Sequence, residues 1–141
     1  MPKLLRNMLA LLLGLVIGGS VNMALITLGP SLIAPPPGAD MRTAEGLTQA
    51  MPLLMPKHFL MPFLAHALGV LVGALAAYCI AASHQARFAA AVGVVFLCGG
   101  VAAAFMIPAP VWFIALDLLL AYLPMAWLAA WIGARLTGRQ P

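Results

Sequence analysis

Three polar side chains interrupt otherwise apolar stretches of this sequence: Asn22, His66 and Asp117. A carboxylate in hydrocarbon is costly unless it meets a partner, so Asp117 is expected to face protein. His66 is the partner the sequence offers. An imidazole beside a carboxylate can hold or pass on a proton, and an intramembrane ionisable pair marks a functional candidate by default. The same pair can also serve as a polar clasp that does no more than fix helix register. Residue type alone leaves both readings open. Asn22 contributes an amide that both donates and accepts.

Other chemistry finds little support. His58 and His66 are eight residues apart, about 12 Å along a helix axis, so one metal ion cannot join them. There is no HExxH, CxxC or carboxylate cluster, and a metal site is not expected. Cys79 and Cys98 fall inside apolar runs at different depths, which argues against a disulfide and for small-residue packing. No Ser–His or Cys–His couple has supporting spacing, and no Gly-rich phosphate loop occurs. The chain is read as a non-enzyme without a cofactor. Its seven Lys/Arg are scattered singly at the ends of apolar runs, which speaks against nucleic acid.

The elements that position these residues follow from composition. The chain is 65% hydrophobic and 7% charged, against about 25% charged in soluble domains. Such a surface suits lipid. The sequence predicts an all-α membrane protein, a single domain over 1–141 with spans near 8–33, 58–82, 88–107 and 111–132. Lys3 and Arg6 ahead of the first run resemble a secretory signal, but that run exceeds an h-region and no A-x-A-like site stands out, so the helix is expected to be retained. Residues 34–57 form the one long loop. Pro35, Pro36 and Pro37 favour extended chain. Asp40 is a candidate cap for a short amphipathic helix over about Met41–Met51, ended by Pro52. That helix is read as lying on the membrane surface, or more sharply as a lid over a pore.

Orientation comes from counting charges. With the N-terminus inside, the inner segments hold Lys3, Arg6, Arg87, Arg135 and Arg139, and the outer loop holds Arg42 and Lys57. This matches the positive-inside bias and places both termini in the cytoplasm. Trp112 and Trp131 fall near opposite ends of the fourth span.

Counted from the outer ends, Asn22, His66 and Asp117 lie roughly seven, eight and six residues deep, on the order of 9–12 Å. Spans one, two and four therefore bring an amide, an imidazole and a carboxylate to one level. Span two also carries Ala65, Gly69, Gly73, Ala77 and Ala81 in steps of four, a small-residue face on which another helix can rest closely. Gly14-x-x-x-Gly18 offers the same in span one. Pro62 and Pro124 are candidate kinks that free carbonyls toward the interior. Gly18–Gly19 and Gly99–Gly100 hint at a faint repeat.

The strings Pro56-Lys57-His58-Phe59, Pro62-Phe63, Ala65-His66-Ala67-Leu68-Gly69 and Gly73-Ala74 resemble a pattern in an uncharacterised family of small bacterial four-helix integral membrane proteins. Trp112-Phe113, Asp117-Leu118 and Ala121-Tyr122-Leu123-Pro124-Met125-Ala126-Trp127 continue the resemblance over most of the chain. It implies a four-span protein of the bacterial inner membrane and brings no activity with it. Two function classes are expected. One is an accessory or scaffold protein partnered with the lipid bilayer and either its own copies or another membrane protein. The other is an oligomeric small-solute or proton-linked channel or transporter that uses a His66–Asp117 pair.

Overall fold

A computed structural model of the chain describes residues 1–138; Arg139, one of the basic residues counted for orientation, lies outside them. Helix α1 spans Lys3–Leu32, α2 Ala44–Ala50, α3 Leu60–Ile80, α4 Gln85–Met106, α5 Val111–Leu120 and α6 Leu123–Thr137. Two 3-10 turns, Met51–Leu53 and Pro56–Phe59, connect α2 to α3. Four segments are long and apolar enough to cross a membrane: Lys3–Leu32, Pro56–Ile80, Gln85–Met106 and Val111–Thr137. The protein is thus a multi-pass membrane bundle of four spans, with a short helix between the first two. Lys3, Ser83 and Arg135 mark its terminal end, and residues 33–59 its loop end.

Glycine decides how α1 meets α3. A Cβ built at Gly73 would lie 2.9 Å from the Gly18 Cα, and one at Gly14 would lie 2.8 Å from the Ala77 Cβ. The backbones touch, so dispersion supplies the attraction that water-driven burial cannot supply in lipid. The small face on α3 therefore packs within the chain. Behind it, Val70, Ala74, Ala77, Tyr78, Val92 and Ala129 are fully buried. Large residues such as Leu12, Val16, Val94 and Leu119 face outward, where hydrocarbon covers them. The two glycine pairs do different work: Gly18 and Gly100 meet protein, whereas Gly19 and Gly99 have nothing within 4 Å.

Polar contacts tie the terminal end. Arg6 Nε donates to the Ile80 carbonyl at 2.7 Å, and Asn7 Oδ1 accepts from the Ala82 N–H at 2.8 Å. Asn7 Nδ2 donates to Ser83 Oγ at 3.0 Å. The Arg6 cation thus caps a carbonyl of the last turn of α3, which lacks a helical partner, and the Asn7 amide holds the chain just beyond it. Arg6 is a helix cap as well as a charge at the membrane edge.

Local chemistry moves several expected boundaries. The short helix begins at Ala44 because Thr43, not Asp40, is its N-cap: Thr43 Oγ1 accepts from the Gly46 N–H at 3.0 Å. Asp40 acts one step earlier and accepts from the Arg42 N–H at 2.9 Å and the Thr43 hydroxyl at 2.8 Å. Pro62 does not kink a mid-span helix. It sits in the first turn of α3, where a missing N–H costs little, and α3 continues unbroken to Ile80. Pro124 marks a true interruption. Tyr122 leaves the helical region (φ −115°, ψ −82°), and Pro124 stands in the first turn of α6. The fourth span is therefore two helices.

Candidate functional site

His66 stands in the second turn of α3, and Asp117 lies in α5, four residues before the break. His66 Nδ1 lies 2.9 Å from both Asp117 Oδ1 and Oδ2. Two acceptor oxygens face one nitrogen, so the proton between them bridges imidazole and carboxylate. The Asp117 side chain is 7% exposed and that of His66 is 24% exposed. Tyr122 completes the cluster. Its hydroxyl donates to Asp117 Oδ2 at 2.9 Å, and its ring lies 5.6 Å from that of His66, centroid to centroid. Gly100 makes the slot for the phenol, since a Cβ there would collide with the Tyr122 ring and hydroxyl.

Sequence reasoning missed Tyr122 for a geometric reason. On an unbroken helix a residue five positions on lies about 140° around the axis and cannot reach back. The break at Ala121–Tyr122 brings the hydroxyl back to Asp117. The available signal was a tyrosine inside a span, two residues ahead of Pro124.

Asn22 does not join this hydrogen-bonded cluster. A Cβ built at Gly69 would lie 3.0 Å from the Asn22 Cβ, and Asn22 Oδ1 is buried without a partner among the described residues. Equal depth brought Asn22 to a cavity that His66 also lines, but not into hydrogen-bond contact with the pair. Gly69 and Gly73 hold α1 against α3, and so set where His66 stands relative to the first span.

Two cavities meet at His66. The first, about 320 Å³, runs from the loop end down to His66 and Asp117. Met41, Leu47, Met51 and Leu54 of the 34–57 segment roof it, and Phe59, Phe113, Ala103 and Ala104 form part of its wall. Among its described lining residues there is no Lys or Arg, and Asp117 is the one acid. The second, about 460 Å³, lies nearer the terminal end, against Leu15, Asn22, Val95, Phe96, Gly99 and Tyr122. His66, Gly100 and Ala103 line both. His66 Nε2 has no hydrogen-bond partner among the described residues.

The roof is pinned by two small networks. The Met55 N–H donates to His58 Nδ1 at 2.9 Å, which leaves Nε2 to donate to the Ala34 carbonyl at 3.2 Å. His58 thereby joins the chain leaving α1 to the chain entering α3. At the other corner the Arg42 N–H, aided by the Thr43 hydroxyl, holds the Asp40 carboxyl below the usual carboxylate range. No group of three or more His, Cys, Asp or Glu with metal-binding placement occurs among the described residues.

No protein-family model matches this chain, and neither a curated protein nor a solved structure does.

Proposed function

We propose that this protein is an accessory protein of the bacterial inner membrane that holds a small, mostly apolar molecule in the cavity above His66. The observation that carries the reading is the cavity's form: about 320 Å³, apolar along its walls, and ending on the His66–Asp117 pair. Small-molecule sites have this character, with volumes of about 300–1,000 Å³ and few convergent polar groups. The wall chemistry speaks against a wide aqueous ion path.

Binding is the test. Para-xylene added to the purified full-length protein should give saturation-transfer NMR signals, and Ala104→Phe, which fills the cavity, should remove them. Equal signals from both proteins would leave the pair as a structural clasp in a scaffold. Both termini are proposed to lie in the cytoplasm, from the excess of Lys3, Arg6, Arg87, Arg135 and Arg139 over Arg42 and Lys57. A cysteine placed in loop 40–50 should react with an impermeant maleimide from the periplasmic side. Labelling from the cytoplasmic side alone reverses the topology.

One observation favours the transport reading as a second possibility: His66 stands between two cavities stacked along the bundle. Proteoliposomes carrying an internal pH dye separate the two. An accessory binder gives no proton flux. A pH-dependent flux that Asp117→Asn abolishes in a folded bundle would replace the accessory reading with a proton-linked transporter.

A further inference from the structure

We infer that the molecule this cavity selects is a neutral carbonyl compound, a ketone or quinone ring whose oxygen accepts a hydrogen bond from His66 Nε2. The inference rests on the binding reading and adds the class of ligand.

Proton counting carries it. His66 Nδ1 and the two Asp117 oxygens share a bridging proton. The polar side chains that line the cavities with that pair are Tyr122, which donates its own hydrogen to Asp117 Oδ2, His58 in the first cavity and the uncharged Asn22 in the second; the other lining residues are apolar. No Lys or Arg among the described lining residues stands by to balance a charge. A net negative charge at this depth is therefore disfavoured. The pair is neutral in two arrangements, imidazolium with carboxylate or imidazole with carboxylic acid. In both, Nε2 carries a hydrogen. His66 lines both cavities, that N–H finds no acceptor among the described residues, and between apolar walls a donor left unmet is costly. A ligand that supplies an acceptor oxygen and brings no charge meets the need. A carboxylate would restore the net negative charge, and an amine, protonated at neutral pH, would bring a positive charge and only donors.

The walls fit the rest of such a molecule. The Phe59 and Phe113 rings lie 4.8 Å apart, centroid to centroid, beside the cavity. His58 and His66 mark its two ends, about 12 Å apart along the helix axis, which is room for one ring and a short chain.

The test uses the full-length protein in nanodiscs with para-butylacetophenone, its analogue with a methylene in place of the carbonyl, and para-butylphenol. The wild type should bind the ketone about tenfold more tightly than the methylene analogue, the value of one buried hydrogen bond. His66→Asn keeps an amide N–H for Asp117 and deletes Nε2, so it should bind both equally. Carbon-13-labelled ketone should show a carbonyl infrared band at lower frequency on the wild type than in empty nanodiscs. That band measures the bond even where His66→Asn fails to fold. Equal binding of ketone and methylene analogue by the wild type, with the band unshifted, overturns the carbonyl inference and leaves the cavity reading standing. A His66-dependent preference for the phenol over the ketone also overturns it, since Nε2 would then be an acceptor. Binding of none of the three overturns both.

Discussion

Two buried tyrosines divide the bundle. Tyr78, toward the terminal end, and Tyr122, beneath the cavity, are both almost wholly buried, and each lies in a slot opened by a glycine, Gly133 and Gly100 respectively. Tyr122 donates to Asp117. The Tyr78 hydroxyl has no partner among the described residues. The regions around them differ in the same sense. Around Tyr78, helices meet through Gly14, Gly18, Gly73 and Ala77 with no room to spare. Around Tyr122, the helices stand apart at two partly open pockets, beside one of the few polar networks of the interior. The bundle is thus a tight base that carries a hollow upper half. The base fixes the spacing of α1 and α3, and in the other half His66 lines both pockets.

The largest expected effect lies in the base. Gly73→Leu drives a side chain into the backbone of α1 and should cost about 3 kcal/mol or more, or prevent folding. Val72→Leu, on the outward face, should melt like the wild type in detergent. Equal melting of the two would dissolve the contrast between the halves.

Next is the polar pair. His66→Ala and Asp117→Ala should each destabilise and should combine non-additively, with a coupling of about 0.6–1.7 kcal/mol, as polar contacts between membrane helices do. Additive losses in the double-mutant cycle would mean that the contact carries no energy.

The tyrosines sharpen the comparison further. Tyr122→Phe removes a donor from Asp117 and should cost about 1–2 kcal/mol, whereas Tyr78→Phe removes an unmet hydroxyl and should be neutral or stabilising by up to about 1 kcal/mol. Chemical denaturation in mixed micelles reads both, and the opposite ranking would exchange the roles of the two hydroxyls.

The smallest effect is in the roof. The Arg42 N–H and Thr43 hydroxyl favour ionised Asp40, so the turn is held fully above its ordinary value of 3.8 and loosens as pH falls through a lower one. The Arg42 amide NMR shift should titrate with a midpoint below 3.8. A midpoint at or above that value would detach Asp40 from the roof.

Helix count and span positions were legible because hydropathy acts over some twenty residues and tolerates local error. The small face of α3 was legible for a similar reason, since steps of four stay on one side of a helix. Depth from the membrane edge placed His66 and Asp117 at a common level, and the structure brings their side chains together. The same depth count placed Asn22 with them; Asn22 does line a cavity with His66, but no hydrogen bond joins it to the pair, because contact is set by packing and not by depth. The broken fourth span escaped for a related reason. A proline shows where a helix can fail, but not which neighbouring residue will leave it. The cavity was invisible in the sequence, because hollow space depends on how far apart helices stand.

The contacts of Arg6 and Asn7 with residues 80–83 join positions 74–76 apart in the chain. At synthesis rates of about 5–20 residues per second, the second anchor emerges roughly 4–15 s after the first. For that interval the newly inserted first helix stands alone in the bilayer with Gly14 and Gly18 uncovered. Its binding face is complete before its own partner exists. During those seconds the nascent chain is open to capture by any neighbouring helix with a small-residue face, or by an insertion chaperone that shields one. Slowed translation between residues 32 and 80 should therefore lower the yield of folded bundle without altering the stability of the bundle once formed.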